Sequence, residues 1–168
     1  FASPTPDQSA QLAALTTMRL VGVVISTAST IFMFLAARRL WPRSAWGALA
    51  AASLYAFWPQ FVFIGSMATN DLLITSLAAV LVYLIVRTQQ EGLTLVHAGL
   101  LAAVTGAALL TKLNGLAFVV PTGLVIVLAA VTQRRTAIVA LGGLLALVAV
   151  ALVLLSGMDF VTGQILQL

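Results

Sequence analysis

Long apolar runs separated by short polar breaks set the pattern of this chain. Runs without a formal charge extend over Leu20 to Ala37, Ala45 to Trp58 with a continuation toward Phe63, Leu72 to Val86, Leu93 to Leu110, Leu116 to Val131, and Ala137 to Leu155. About 20 residues at 1.5 Å each cross the roughly 30 Å of bilayer hydrocarbon. None of these runs alternates polar and apolar positions as barrel strands do, and in lipid every backbone N–H and C=O must pair within its own segment, so each run predicts a helix. The expectation is an all-α integral membrane protein: a single domain over residues 1–168, a bundle of about six transmembrane helices, with residues 1–11 as a polar segment on the outer side. The second and third runs are short, which calls for tilt, local thinning of the bilayer or a joining interfacial segment.

Composition agrees with that pattern. Of 168 residues, 62% are hydrophobic and 7% charged, with a mean hydropathy of +1.15, whereas soluble domains carry about 25% charged residues. Charge placement orients the spans. Threading them alternately puts Arg38, Arg39, Arg43, Arg87, Arg134 and Arg135 on one side, and only Arg19 and Lys112 on the other with both termini. Basic residues accumulate on the cytoplasmic side, so the termini and the turns around Asn70 and Lys112 are expected outside. Trp41, Trp46 and Trp58 fall at span ends, where interfacial aromatics collect. The pI of about 10.8 needs no nucleic acid, because arginines at the inner interface meet anionic head groups and no basic domain exists to carry nucleic-acid binding.

The chain opens with Phe1 in the polar stretch FASPTPDQSAQ, which is no signal peptide. A cleaved leader, or an earlier helix and loop, is expected upstream. The absence of cysteine excludes disulfides, thiolate metal sites and cysteine nucleophiles. Gly99, Ala102, Ala103, Gly106 and Ala107 on the fourth run, and Gly142 and Gly143 on the sixth, predict close helix packing. Pro121, early in the fifth run, predicts a kink.

Candidate chemistry rests on the polar residues that a bilayer penalises. Asp71 follows Asn70 in SMATNDLL; a carboxylate there serves a ligand, or else it caps a helix whose N-terminal dipole stabilises it. Lys112, in TKLNG, pairs with Asp71, meets an anionic group, or snorkels to outer head groups. Arg19 is a third outer charge or an interfacial anchor, and Asn114 with Gly115 forms a turn or cap. An acid and two cations at one membrane face suit a phosphate-linked substrate, with a divalent metal ion at the carboxylate as the implied cofactor. His97 lacks a second histidine or carboxylate at ligand spacing and reads as a packing residue; Tyr55 and Tyr83 read as interfacial or helix-contact residues. Soluble-enzyme motifs are absent.

Three strings, RLVGVVISTASTIFMFLAARRLWP, AAASLYAFWPQFVFIGSMATNDLL and LLAAVTGAALLTKLNGLAFVVP, resemble the C-type membrane glycosyltransferases over roughly residues 12 to 130. More narrowly, they resemble the bacterial relatives of the protein O-mannosyltransferases and of the lipid A aminoarabinose transferases. The shared features are an arginine opening a helix, an Ala-Arg-Arg end to it, a proline-aromatic string leading to Asn-Asp, and a Thr-Lys segment followed by Gly and Pro. The resemblance implies a GT-C-like partial core in the bacterial cytoplasmic membrane, transferring a sugar from a polyprenyl-phosphate donor to an acceptor at the outer face.

On that resemblance Asp71 belongs to the donor or metal site, Lys112 and Arg19 bind the donor phosphate, and Asn70 and Asn114 support them. The family's catalytic aspartate lies in a first outer loop before this chain begins, and Asp7, in PTPDQSAQ, does not match its motif, so no catalytic base is expected within these residues. The alternative is a noncatalytic transmembrane subunit of a photosynthetic or respiratory complex, associated with other membrane subunits. A transporter is a third, weaker fit, because no pair of matching broken helices suggests an inverted repeat.

Overall fold

Backbone pairing does not stop where hydrocarbon stops, so the helices that contain the first and third apolar runs extend beyond them at both ends. The structure is a computed structural model, and it describes residues 6–67, 69–111, 113–130, 138, 141–145 and 148–149. Over the described residues up to 130, the α-helices follow in order as α1 Pro6–Leu40, α2 Ala45–Ala56, α3 Pro59–Ser66, α4 Asn70–Glu91, α5 Leu95–Thr111 and α6 Val119–Ala130, with a 3-10 helix Leu113–Phe118 between the last two. No strand occurs among the described residues. Two compact units divide at Tyr83 and Leu84, inside α4.

Two helices, Ala10–Leu40 within α1 and Asn70–Glu91, are long and apolar enough to cross a membrane, and the bent pair α2–α3 makes up to three. The expected six-span bundle is therefore reduced to two or three candidate spans among the described residues. α5 and the Asn114–Ala129 stretch are apolar but shorter, and the run 137–155 falls mostly outside the described residues. α1 begins at Pro6, within the polar stretch 1–11. Proline is favoured in the first helical turn, where its missing N–H has no partner to lose, and Ala10 to Leu15 are mostly strong helix formers. From Arg19 to Arg38, α1 covers about 29 Å, close to one hydrocarbon thickness.

In the first unit, the second run breaks at Phe57 and Trp58 and bends by 53°. Pro59, in the first turn of α3, has no N–H to continue α2, which explains the break. The corner remains paired, with Phe57 N donating to Ser53 O at 2.9 Å and Trp58 N to Tyr55 O at 3.3 Å. Small residues set the approach of α1 to α3. A Cβ on Gly22 would stand 3.2 Å from Gly65 O, and one on Gly65 would stand 3.2 Å from Ser26 Oγ. Tyr55 packs on Phe61 with ring centroids 4.5 Å apart and directs its hydroxyl at Ser29 Oγ, 3.4 Å away. Tyr83 packs on Phe32 at 5.6 Å and lies under the Arg39 guanidinium at 5.5 Å. Both tyrosines are thus helix-contact residues.

In the second unit, Thr105 Oγ1 and Thr122 Oγ1 meet at 2.9 Å in a buried contact between α5 and α6. The buried side of α5 includes His97, Leu101, Thr105 and Ala108. Of the small residues expected to pack there, Gly106 is buried and Ala102 half-buried, whereas Gly99, Ala103 and Ala107 are exposed, and a Cβ at Gly99, Gly142 or Gly143 would meet nothing within 4 Å. Pro121 sits in the first turn of α6 after the 3-10 helix. Its missing N–H falls among the first helical positions of α6, where it costs no bond within that helix.

Candidate functional site

Asn70 and Asp71 open α4, and Asp71 lies in its first turn, where the exposed N–H groups and the dipole favour a carboxylate. Thr75 Oγ1 donates to Asp71 O at 2.7 Å, and the Asp71 side chain is half-buried. Leu72, the next residue, is buried; its Cδ2 would lie 3.5 Å from a Cβ on Gly22 of α1. This contact brings the start of α4 beside the first half of α1.

Between them lies an open groove of about 500 Å³. On α1 it is lined by Ala14, Thr17, Met18, Val21, Gly22 and Ile25, and Met67, Thr69, Asn70, Leu72 and Leu73 line the other side. The α1 positions follow the i, i+3, i+4, i+7 spacing of one helix face. Thr17, Thr69 and Asn70 are its polar side chains, and the other lining residues are apolar.

Of the residues expected at the site, Asn70 lines this groove and Asp71 adjoins it in the chain. Arg19 is exposed at the same level of α1, less than one turn before Gly22. At about 100° per residue it stands roughly 140° around the helix from the middle of the lining, a bearing that fits the anchor reading. Lys112 lies outside the described residues. Asn114 is exposed and belongs to the second unit. Gly115, expected in a turn or cap, instead lies in the 3-10 helix, buried against the backbone of α5 at Ala108.

Asp71 and Asn70 supply one carboxylate and one amide oxygen, and no group of three or more His, Cys, Asp or Glu converges among the described residues. That set does not form a metal cage by itself.

A second polar cluster joins α4 to α5. Glu91 Oε2 accepts from Arg87 Nε at 2.9 Å and lies 3.4 Å from His97 Nε2. His97 Nδ1 is 2.8 Å from Gly92 O; a carbonyl only accepts, so Nδ1 carries the hydrogen. Gly92 permits the reversal with a φ of 87°, donating its N–H to Thr88 O at 2.9 Å as a left-handed helix end does. Thr94 Oγ1 accepts from His97 N at 3.2 Å, capping α5. His97 therefore has the carboxylate neighbour that sequence spacing failed to show. The missed signal is Glu-Gly-x-Thr-x-x-His, a positive-φ glycine followed by a capping threonine. Replacing His97 with alanine removes the ring from a buried site, and a loss of about 1–3 kcal/mol is expected. A lowered unfolding temperature in detergent checks it; an unchanged one assigns the turn's stability to Gly92 and Thr94.

Helices long and apolar enough to cross a membrane, a paired α4–α5 turn and a mostly apolar groove describe a helical membrane protein. Over residues 12–156 the chain matches the dolichyl-phosphate-mannose-protein mannosyltransferase family, and it belongs to that family. It is accordingly a membrane glycosyltransferase chain of the GT-C type. No curated protein and no solved structure matches the chain at a significant level.

Proposed function

We propose that the first unit carries the donor-lipid site of a glycosyltransferase that takes a sugar from a polyprenyl-phosphate carrier and delivers it at the outer face of the cytoplasmic membrane. The observation that carries this reading is the groove between α1 and the start of α4, mostly apolar, with Thr17, Thr69 and Asn70 as its polar side chains. A polyprenyl chain requires the apolar lining, and its phosphate requires donors close by. Asp71 borders the Asn70 end of the groove, placed to hold hydroxyls of the sugar or a cation that accompanies the phosphate. The Thr-Lys string suggests, from sequence alone, Lys112 as a cation for a departing phosphate, a charge that would lower the barrier to its leaving. Arg19 anchors α1 among the head groups at that level. The family match over 12–156 favours this reading over a noncatalytic subunit or a transporter.

Filling the groove tests the reading. In the intact enzyme, Ala14→Phe places a ring in the lining without touching a charge. It is expected to raise KM for the polyprenyl-phosphate sugar about tenfold and leave kcat nearly unchanged, the signature of lost uniform binding. An unaltered KM would remove the groove from the donor path.

A further inference from the structure

At the far end of α1 lies a different combination of charge and groove. Arg38 and Arg39 occupy the last turn of α1, and Arg43 stands exposed in the turn that leads to α2. Ser44 N donates to Trp41 O at 3.1 Å, which closes that turn, and Ser44 Oγ accepts from Gly47 N at 3.0 Å to cap α2. Arg39 is engaged with the Tyr83 ring. Among the described residues no ion pair neutralises Arg38 or Arg43, and the first unit holds no described acid at this end, since Asp71 belongs to the start of α4.

Beside these arginines an apolar groove of about 360 Å³ begins at Trp41 and Ser44 and runs along Gly47, Ala50, Ala51 and Leu54. It shares Ala50 and Leu54 with a second groove that continues to Phe57, Trp58 and Pro59. From Ser44 to Leu54 the helix rises about 15 Å, half of a roughly 30 Å hydrocarbon core and so the depth of one leaflet's acyl chain. The occupant must therefore be anionic at one end and apolar over one leaflet.

We propose that the α1–α2 turn and the α2 groove bind one anionic phospholipid, its phosphate held by Arg38 and Arg43 and an acyl chain lying along Gly47 to Leu54. This site is separate from the donor groove and goes beyond a diffuse attraction of basic residues to the membrane. Guanidinium groups form paired hydrogen bonds to phosphate oxygens, and Trp41 supplies an interfacial wall. A zwitterionic lipid offers the same chain without the net charge.

The test is native mass spectrometry of the intact protein extracted from nanodiscs of phosphatidylglycerol or of phosphatidylcholine. Retention of one phosphatidylglycerol, and no phosphatidylcholine, is expected. Replacing both arginines (Arg38→Gln with Arg43→Gln) should weaken retention about thirtyfold. A second variant, Ala50→Leu with Ala51→Leu, fills the groove, leaves every charge in place and should also release the lipid. Arg43→Gln alone, in an exposed turn, keeps the test informative if the double variant fails to fold. Equal retention of both lipids, retention unaffected by either set of substitutions, or displacement by polyprenyl phosphate at equal concentration would overturn the proposal. Because the donor groove is untouched, failure here leaves the Ala14→Phe result standing, and the reverse also holds.

Discussion

Gly115→Ala is expected to cost about 3 kcal/mol or more and to lower the unfolding temperature of the protein sharply. Added at Gly115, a Cβ would overlap the carbonyl of Ala108 and stand 2.7 Å from Leu109 N. These are backbone atoms of α5, fixed by its own hydrogen bonds, so no side chain can swing aside. The 3-10 helix would have to withdraw from α5, where Ala108 and Leu109 are fully buried. Overpacking in a closed core costs about 1–3 kcal/mol when side chains can adjust, and here they are not the obstacle. Conformation is not the reason either, since Gly92 is the positive-φ glycine among the described residues. Gly99→Ala is the control: nothing lies within 4 Å of its added Cβ, and alanine is the better helix former by about 1 kcal/mol. Thermal unfolding in detergent that is the same for Gly115→Ala and the parent protein would show that the 3-10 helix is free to move off α5.

Asp71→Asn in the intact enzyme is expected to lower kcat about a hundredfold, with the fold retained. Asparagine keeps the size and one acceptor oxygen while removing the charge, so the change isolates electrostatics. Loss of one well-placed electrostatic contact costs about 10²–10³ in turnover. The competing explanation, a carboxylate that only steadies the first turn of α4, predicts a different result. Removing such a charge costs about 0.3–1 kcal/mol of stability and leaves turnover intact. Steady-state kinetics with a polyprenyl-phosphate sugar, read beside the unfolding temperature, separates the two. Normal turnover with a lowered unfolding temperature would assign Asp71 to the helix cap.

Helix type and the identity of the apolar segments were legible because hydrocarbon leaves the backbone few alternatives. Their ends were not. The run beginning at Leu20 marks where charge stops, whereas α1 continues back to Pro6 because its hydrogen bonds persist on either side of Arg19. Pro59 was visible in the sequence, but the angle between α2 and α3 depends on packing with α1 at Gly22 and Ser26. That contact has a sequence sign, small residues four apart, shared with many helices that use it for nothing. At the site, charge asymmetry pointed to Asn70 and Asp71, while the groove was hidden because its lining comes from residues about fifty positions apart. The Glu91–His97 contact was hidden for a local reason: six residues span a chain reversal that only the backbone of Gly92 makes possible.

The corner between α2 and α3 also affects the lipid around it. Unbent, the 12 and 8 residues of the two helices would reach about 30 Å, a full hydrocarbon core. With α2 upright and α3 turned by 53°, they reach only about 25 Å along the membrane normal. A shortfall of about 5 Å draws head groups inward at modest cost. α3 leads directly into Met67 and Thr69, which line the groove between α1 and α4, so that dimple would form at its edge. Water would then reach the polar end of that groove at Asn70 while its apolar lining stays in hydrocarbon.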